Sequence, residues 1–187
     1  MYRAKQSVVQ SEEPFSLVNK YDEHVITIFG KHALHATPGY HRSVHVFVEV
    51  FGGKFLLQKK SEGTENSGKW SSAVSGHVRY KEDYVDAAIR EADEELGLVM
   101  SAAELHKVTK VSPSAINGYE FSTLFTYLMD PETEKITLDP TEVDEIAINK
   151  LMDVVNDVEK HRDEYSPAFV ELFNIFLALE RGIEGVR

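Results

Sequence analysis

The sequence predicts an α+β or α/β/α layered domain. Period-two apolar alternation recurs along the chain, other stretches switch to three- and four-residue spacing, and the two kinds of segment are interleaved. At 187 residues with 42% apolar side chains, the chain has the length and content for one sizeable core. A single domain over 1–187 is expected, with 1–40 as an N-terminal extension and 41–187 as the main body with a closing helix.

The extension reads as a hairpin. Two apolar runs between Phe15 and Phe29 flank the polar cluster Asn19-Lys20-Tyr21-Asp22, a turn composition. The next segment, GKHALHATPGYH, mixes Gly, Pro and three histidines without periodicity and predicts no regular element. Val44, Val46, Val48 and Val50 then alternate with Ser43, His45, Phe47 and Glu49, which predicts a strand. Gly52-Gly53 is read as a two-residue hairpin connection to a returning strand through Phe55, Leu56 and Leu57. Ser61 to Lys69 is polar and glycine-containing, a surface loop placed to border a site, and Trp70 reopens an ordered segment leading to Gly76.

From Asp83 to Leu96 the spacing is helical: Val85, Ala88, Ile89, Ala92 and Leu96 fall on one stripe, Asp83 can N-cap and Gly97 suits the left-handed residue after the last turn. Leu105–Val111, Phe121–Met129 and Glu145–Ile148 read as strands, Asn117-Gly118 as a turn and Asp153–Lys160 as a short helix. Ser166-Pro167 supplies a cap and first-turn proline for a helix from Ala168 to about Glu180, stopped by Gly182. That helix is apolar over much of its circumference, so it is either deeply packed or part of a homodimer interface.

Composition narrows the function. The balance of 31 Asp+Glu against 20 Lys+Arg gives a net charge of -11, which repels a nucleic-acid backbone but is compatible with a small phosphate anion bound through divalent cations. The chain has no cysteine, which removes disulfides, thiolate metal sites and a cysteine nucleophile. The opening MYRAKQSVVQSEEP has no apolar targeting core and no stretch reaches membrane-span length, so the expectation is a soluble cytoplasmic protein with no membrane partner.

The chemistry is concentrated in GHVRYKEDYVDAAIREADEELGL, Gly76 to Leu98. Glu91, Glu94 and Glu95 are related by three- and four-residue steps, so they project from one side of the helix, roughly opposite its apolar stripe. Like charges at that spacing cost about 0.2 to 0.5 kcal/mol per pair and ask for a cation; hard oxygen ligands suit Mg²⁺ or Mn²⁺. Arg90 is placed to hold one of these carboxylates, Gly76 can bring a backbone carbonyl to the same metal, and Glu82 can brace the loop against the helix. The bland alternative is a solvated acidic helix face.

The whole stretch decides against that alternative, because Gly76, Glu82, Arg90-Glu91, Glu94-Glu95 and Gly97, with the intervening apolar positions, reproduce the Nudix box. The chain resembles the Nudix hydrolase superfamily. The resemblance implies a mixed sheet sandwiched between helices, with the box as a loop-helix-loop, and divalent-metal-dependent attack of water on a diphosphate linkage of a small substrate. It implies that Glu91, Glu94 and Glu95 are metal ligands, that Arg90 orients Glu91 and that the Gly76 carbonyl completes the site.

Outside the box, HRSVHVFVEV, FLLQKK, KWSSAVSGHV, EFSTLFTYL, EVDEIAI and YSPAF are similar to the isopentenyl-diphosphate-isomerase-like branch. Isomerases of that branch use a cysteine before the box glycine, where this chain has Ser75, and they lose part of the paired-glutamate set that this chain keeps. Both departures favour a hydrolase on the isomerase-like scaffold. The alternatives are an isomerase-like enzyme and a non-catalytic metabolite-binding module. The branch implies a second metal site, for which His35, His41, His77, Glu142 and Glu145 are candidates, and Glu94, Glu95, Glu120, Glu142 or Glu145 can serve as general base. Lys59, Lys60, Lys69 and Arg79 are either phosphate contacts or solvated charges, and Trp70 either stacks a base or packs in the core.

Overall fold

The computed structural model describes residues 12–180 and Gly182. The expected extension over 1–40 therefore lies, through residue 11, outside the described residues. The architecture is the expected mixed α+β sandwich with an N-terminal hairpin. Strand β1 (Pro14–Val18) pairs antiparallel with β2 (His24–Phe29). The turn between them is held by Asn19, whose Oδ1 accepts from the backbone N–H groups of Tyr21 (2.8 Å) and Glu23 (3.1 Å). The segment read as irregular contains a short helix, α1 (Lys31–Ala36). A six-residue helix has too few turns to declare a stripe, and its one buried residue, Leu34, completes a small core with Phe15 and Leu17.

Among the described residues the main sheet has seven strands. Strand β3 (His41–Val50) runs parallel to β8 (Glu120–Met129) along its whole length, and β7 (His106–Val111) is antiparallel to β8. On its other edge β3 pairs first with β6 (Val74–His77), through Ser43 to Val46, and then with β4 (Lys54–Lys60), through Val48 to Val50. Strand β4 in turn pairs with β5 (Trp70–Ser72) and, on its far edge, with β9 (Val143–Lys150). The β3–β4 connection is three residues, Phe51 to Gly53, because Val50 pairs with Lys54; the two glycines take φ of 96° and 73°. Past that hairpin β3 and β4 diverge, and β5 and β6 fill the gap from opposite sides.

Period-two alternation sorts β3 between two cores. Val44, Val46, Val48 and Val50 face helix α2 (Tyr84–Leu96), whose Ala87, Ala88, Ala92 and Leu96 are buried against them. Phe47 faces the other way, with Leu124, helix α3 (Leu151–Lys160) and helix α4 (Pro167–Glu180). The apolar girth of α4 is largely explained here: Phe169, Val170, Leu172, Phe173 and Phe176 are buried in that second core. Helix α2 begins and ends as its sequence dictates. Asp83 accepts from the N–H groups of Val85 and Asp86, and Gly97 closes the helix at φ 60°. No helix among the described residues is long and apolar enough to cross a membrane.

One ion-pair network ties the hairpin to the body. Asp22 accepts from Arg42 Nε of β3 (2.5 Å) and Tyr84 Oη of α2 (2.9 Å), and pairs with Lys110 of β7. Burial opposes the charge, but these donors outweigh it and hold the carboxyl below its ordinary 3.8. A carboxyl depressed on folding stabilises the native state above its unfolded pKa and loses that contribution as pH falls through the lower folded value. We therefore expect Asp22→Ala to cost about 2 kcal/mol in denaturant unfolding at pH 7. The difference between wild type and variant should shrink as pH is lowered below 3.8.

Candidate active site

Strand β6 is a partition. Cross-strand register places Ser75 opposite His45 and His77 opposite Ser43, on the face shared with Phe47, while Gly76 lies opposite Val44 and faces α2. On the first side opens a cleft of about 740 Å³, between α1, the 61–69 loop and the start of α4. On the second side lie the carboxylates of the box.

The helix carries those carboxylates differently from the expected outward patch. Glu91 and Glu95, four residues apart, are buried at 6% and 2% exposure; only Glu94 points outward. The reason is steric. Ala87, Ala88 and Ala92 let α2 lie close on the sheet, which draws the flanking Glu91 and Glu95 into the interface. Closest approach is at Gly76, where a Cβ would stand 2.1 Å from Glu91 Cδ. Glycine is required at this position for space.

Each buried carboxylate has a cationic partner. Arg90 donates to Glu91 Oε1 (2.7 Å), Glu94 Oε2 (2.9 Å) and the His77 carbonyl (2.9 Å), and forks onto both oxygens of Glu82 (2.7 and 2.9 Å). Glu82 also accepts from the Arg79 backbone N–H (2.8 Å), so it braces loop to helix as expected. Burial raises Glu82, but the Arg90 fork outweighs it and the carboxyl lies below its usual range. Glu91 goes the opposite way: burial and the neighbouring Glu95 raise it despite Arg90. Glu95 accepts from Lys60 Nζ (2.6 Å), Gln58 Nε2 (3.0 Å) and the Ser75 N–H (3.0 Å). Lys60 is therefore a half-buried counter-ion that also lines the cleft, not a solvated strand charge. Arg79 pairs with Glu13 and Glu94. Lys59 sits over the Trp70 ring, and Trp70 packs against the α3–α4 core, away from the cleft.

On the cleft side three imidazoles gather around one carboxylate. Glu120 Oε1 is 3.0 Å from His41 Nε2 and 3.2 Å from His77 Nε2, and the ligand atoms of His35, His41, His77 and Glu120 all lie within 4.8 Å of one another. The partner carboxylate of the histidines is thus Glu120, which the sequence offered only as a base. Glu142 instead meets Lys31 at 3.4 Å on the cleft rim, and Glu145 meets Lys59 at 3.9 Å on β9. Burial raises Glu120, but hydrogen bonds from both histidines hold it well below the usual carboxylate range. Burial lowers His77, and its bond to Glu120 more than offsets this, so its pKa is raised.

The ligand atoms of His35, His41, His77 and Glu120 are gathered closely enough to hold a divalent cation, whereas the box carboxylates are each engaged by donors of the chain: Glu91 by Arg90, Glu94 by Arg79 and Arg90, and Glu95 by Lys60 and Gln58. Carboxylates with the Gly76 carbonyl suit a hard ion such as Mg²⁺, while three imidazoles and a carboxylate suit Mn²⁺ or Zn²⁺ as well. The packing of three imidazoles on Glu120 is the structural mark of that fit.

Comparison with known proteins agrees with the fold. The NUDIX domain profile matches residues 39–169, and the chain belongs to the Nudix family. Isopentenyl-diphosphate Delta-isomerase 2 of Aromatoleum aromaticum is 31% identical over 162 residues, 83% of this chain and 82% of that protein. Nudix hydrolase 3 of Arabidopsis thaliana is 26% identical over 167 residues, 84% of this chain and 22% of that longer protein. Among solved structures, DR0079 from Deinococcus radiodurans shares the fold, with a TM-score of 0.64 at 21% identity over 79% of this chain and 90% of that one.

The Gly76–Glu91 contact gives a sharp test. Gly76→Ala should cost about 2 to 3 kcal/mol in denaturant unfolding by overpacking. Adding Glu91→Ala should recover most of that loss, since the two side chains share one space. An additive double variant would show that Gly76 is needed for some other reason.

Proposed function

We propose that the chain is a divalent-metal-dependent Nudix hydrolase that cleaves the diphosphate linkage of a small organic or nucleoside diphosphate. The observation that carries this reading is the complete carboxylate set: Arg90 holds Glu91 and Glu94, Lys60 holds Glu95, and Glu91 packs on the backbone of Gly76. Glu91, Glu94, Glu95 and the Gly76 carbonyl would hold Mg²⁺ or Mn²⁺, and His35, His41, His77 and Glu120 a second ion. Bound there, such ions neutralise a diphosphate and lower the pKa of a coordinated water until it can attack phosphorus.

The chain's own groups supply the rest. Lys31 and Lys60, both lining the cleft, offer positive charge to the phosphates. Arg90 keeps Glu91 and Glu94 in fixed orientation. Of the candidate bases, Glu120 and Glu142 line the cleft, whereas Glu95 already accepts three donors and Glu145 is turned to Lys59. Glu94 is held by Arg79 and Arg90 and Glu120 is taken by the histidine cluster, so geometry favours Glu142 for accepting the proton of the attacking water.

A second reading, isomerisation of an isopentenyl-type diphosphate, draws on the Aromatoleum relative's name and on the histidine–glutamate cluster. Against it stand Ser75 and the absence of cysteine, since a serine hydroxyl is a far weaker acid than a thiol with pKa of about 8.5.

A product-resolved panel of nucleoside di- and triphosphates, nucleotide sugars, dinucleotides and isopentenyl diphosphate separates the readings. We expect cleavage of at least one diphosphate with Mg²⁺ or Mn²⁺, abolished by chelation, with kcat lower by at least about 10²-fold in Glu91→Gln and Glu94→Gln. Conversion of isopentenyl to dimethylallyl diphosphate without cleavage would replace hydrolysis by the second reading. Separately, calorimetric titration with Mn²⁺ should show binding weakened at least about tenfold in His41→Ala and in His77→Ala. Unchanged affinity in both would remove the cluster as a metal site.

A further inference from the structure

His45 has no role in anything above, yet its surroundings are specific. It follows His41 and Ser43 on the cleft face of β3, just before that face turns apolar at Phe47, and its side chain lines the cleft at 5% exposure. Its Nδ1 lies 2.9 Å from Ser72 Oγ. Ser72 is fully buried, and among the described residues His45 is the sole hydrogen-bond partner of its hydroxyl. The distance alone fits either direction, but the Ser72 hydroxyl has no other acceptor among the described residues, so the arrangement that satisfies its proton has it donating to Nδ1. The proton of the imidazole is then on Nε2, which has no acceptor among the described residues and belongs to a side chain that lines the cleft.

The ring is held neutral. Burial pushes its pKa down to about 4, and the charges around it are Glu120, which favours the cation, and Lys60 and His77, which disfavour it. Directly across the β3–β6 pair stands Ser75, whose backbone is fixed at both ends: its N–H on Glu95 (3.0 Å) and its carbonyl near Lys60 Nζ (3.4 Å). The Ser75 side chain also lines the cleft, and its hydroxyl has no partner among the described residues. Two uncharged donors thus face each other between the Lys60 ammonium and the His77–Glu120 cluster.

We propose that the Nε2–H of His45, with the Ser75 hydroxyl opposite, is a substrate-binding donor pair that takes a phosphoryl oxygen in the cleft. The inference rests on the diphosphate reading above and adds a residue to it. Cations attract a diphosphate from any direction, whereas neutral donors on fixed backbone hold one oxygen in one place. Ser72 acts as a positioning residue that sets the tautomer of the ring.

Histidine-¹⁵N-labelled protein with Mg²⁺ tests this, using methylenediphosphonate as a non-hydrolysable probe. In the free protein, long-range ¹H–¹⁵N spectra should show His45 with its proton on Nε2 and Nδ1 bare, and adding the probe should move the Nε2 resonance. His45→Phe should remove that resonance and weaken the probe about tenfold, as loss of one hydrogen bond to a charged group does. Ser75→Ala should weaken it comparably. His45→Gln, whose amide nitrogen can take the place of Nε2, should keep near-wild-type affinity and serves for assignment if the Phe variant does not fold. A proton on Nδ1, or probe binding that leaves His45 unmoved and is equally tight in His45→Phe, would overturn the inference while leaving the diphosphate reading intact. No probe binding to wild type at all would overturn both.

Discussion

The contact between Gly76 and Glu91 is the constraint on which the rest of the site depends. Because no Cβ stands at Gly76, α2 can settle onto β6 closely enough to bury Glu91 and Glu95 at the partition's back. Burying two carboxylates is costly unless each finds charge of opposite sign, and Arg90 and Lys60 supply it. Those cations in turn fix the strand: Arg90 holds the His77 carbonyl and Lys60 reaches the Ser75 carbonyl. The residues that face the cleft, Ser75 and His77, are therefore positioned by the carboxylates behind them. One strand of four residues transmits the arrangement of the box to the opposite side of the sheet.

The cleft itself arises from divergence of the sheet. Beyond Val48, toward its start, β3 leaves β4 and pairs with β6, and its cleft-facing residues change from Phe47 to His45, Ser43 and His41. The same strand face thus serves as core under α4 and as floor of a polar cleft. Strand β8, parallel to β3 throughout, brings Glu120 level with His41, and β6 brings His77 alongside. The histidine cluster needs three strands and α1 to assemble, and the box needs one helix and one strand.

That difference explains what the sequence revealed. Helix α2, its Asp83 cap, its Gly97 terminus and the Arg90–Glu82 brace are local features whose spacing states them directly. The hairpin around Asn19 and the alternating strand β3 were legible for the same reason. Pairings over long separations were not: His41 and Glu120 are 79 residues apart, and only strand order and register bring them together. Helix α1 was too short for its spacing to be read, although it delivers His35 and Lys31 to the cleft. The outward orientation expected for all three glutamates failed because a helical wheel contains no information on how closely a neighbouring strand approaches. Alanines at 87, 88 and 92 beside a glycine strand were the available sign of that approach.

Hydrolysis, as proposed, requires that water attack phosphorus in a diphosphate held over this partition. Turnover in ¹⁸O-labelled water, with products resolved by mass spectrometry, tests it most directly. Hydrolysis predicts one ¹⁸O in a phosphorus-bearing product per bond cleaved, only with divalent cation present, and no label when Glu91→Gln replaces the wild type. A substrate converted to an isomer of unchanged mass, with no ¹⁸O in any phosphate, would contradict it.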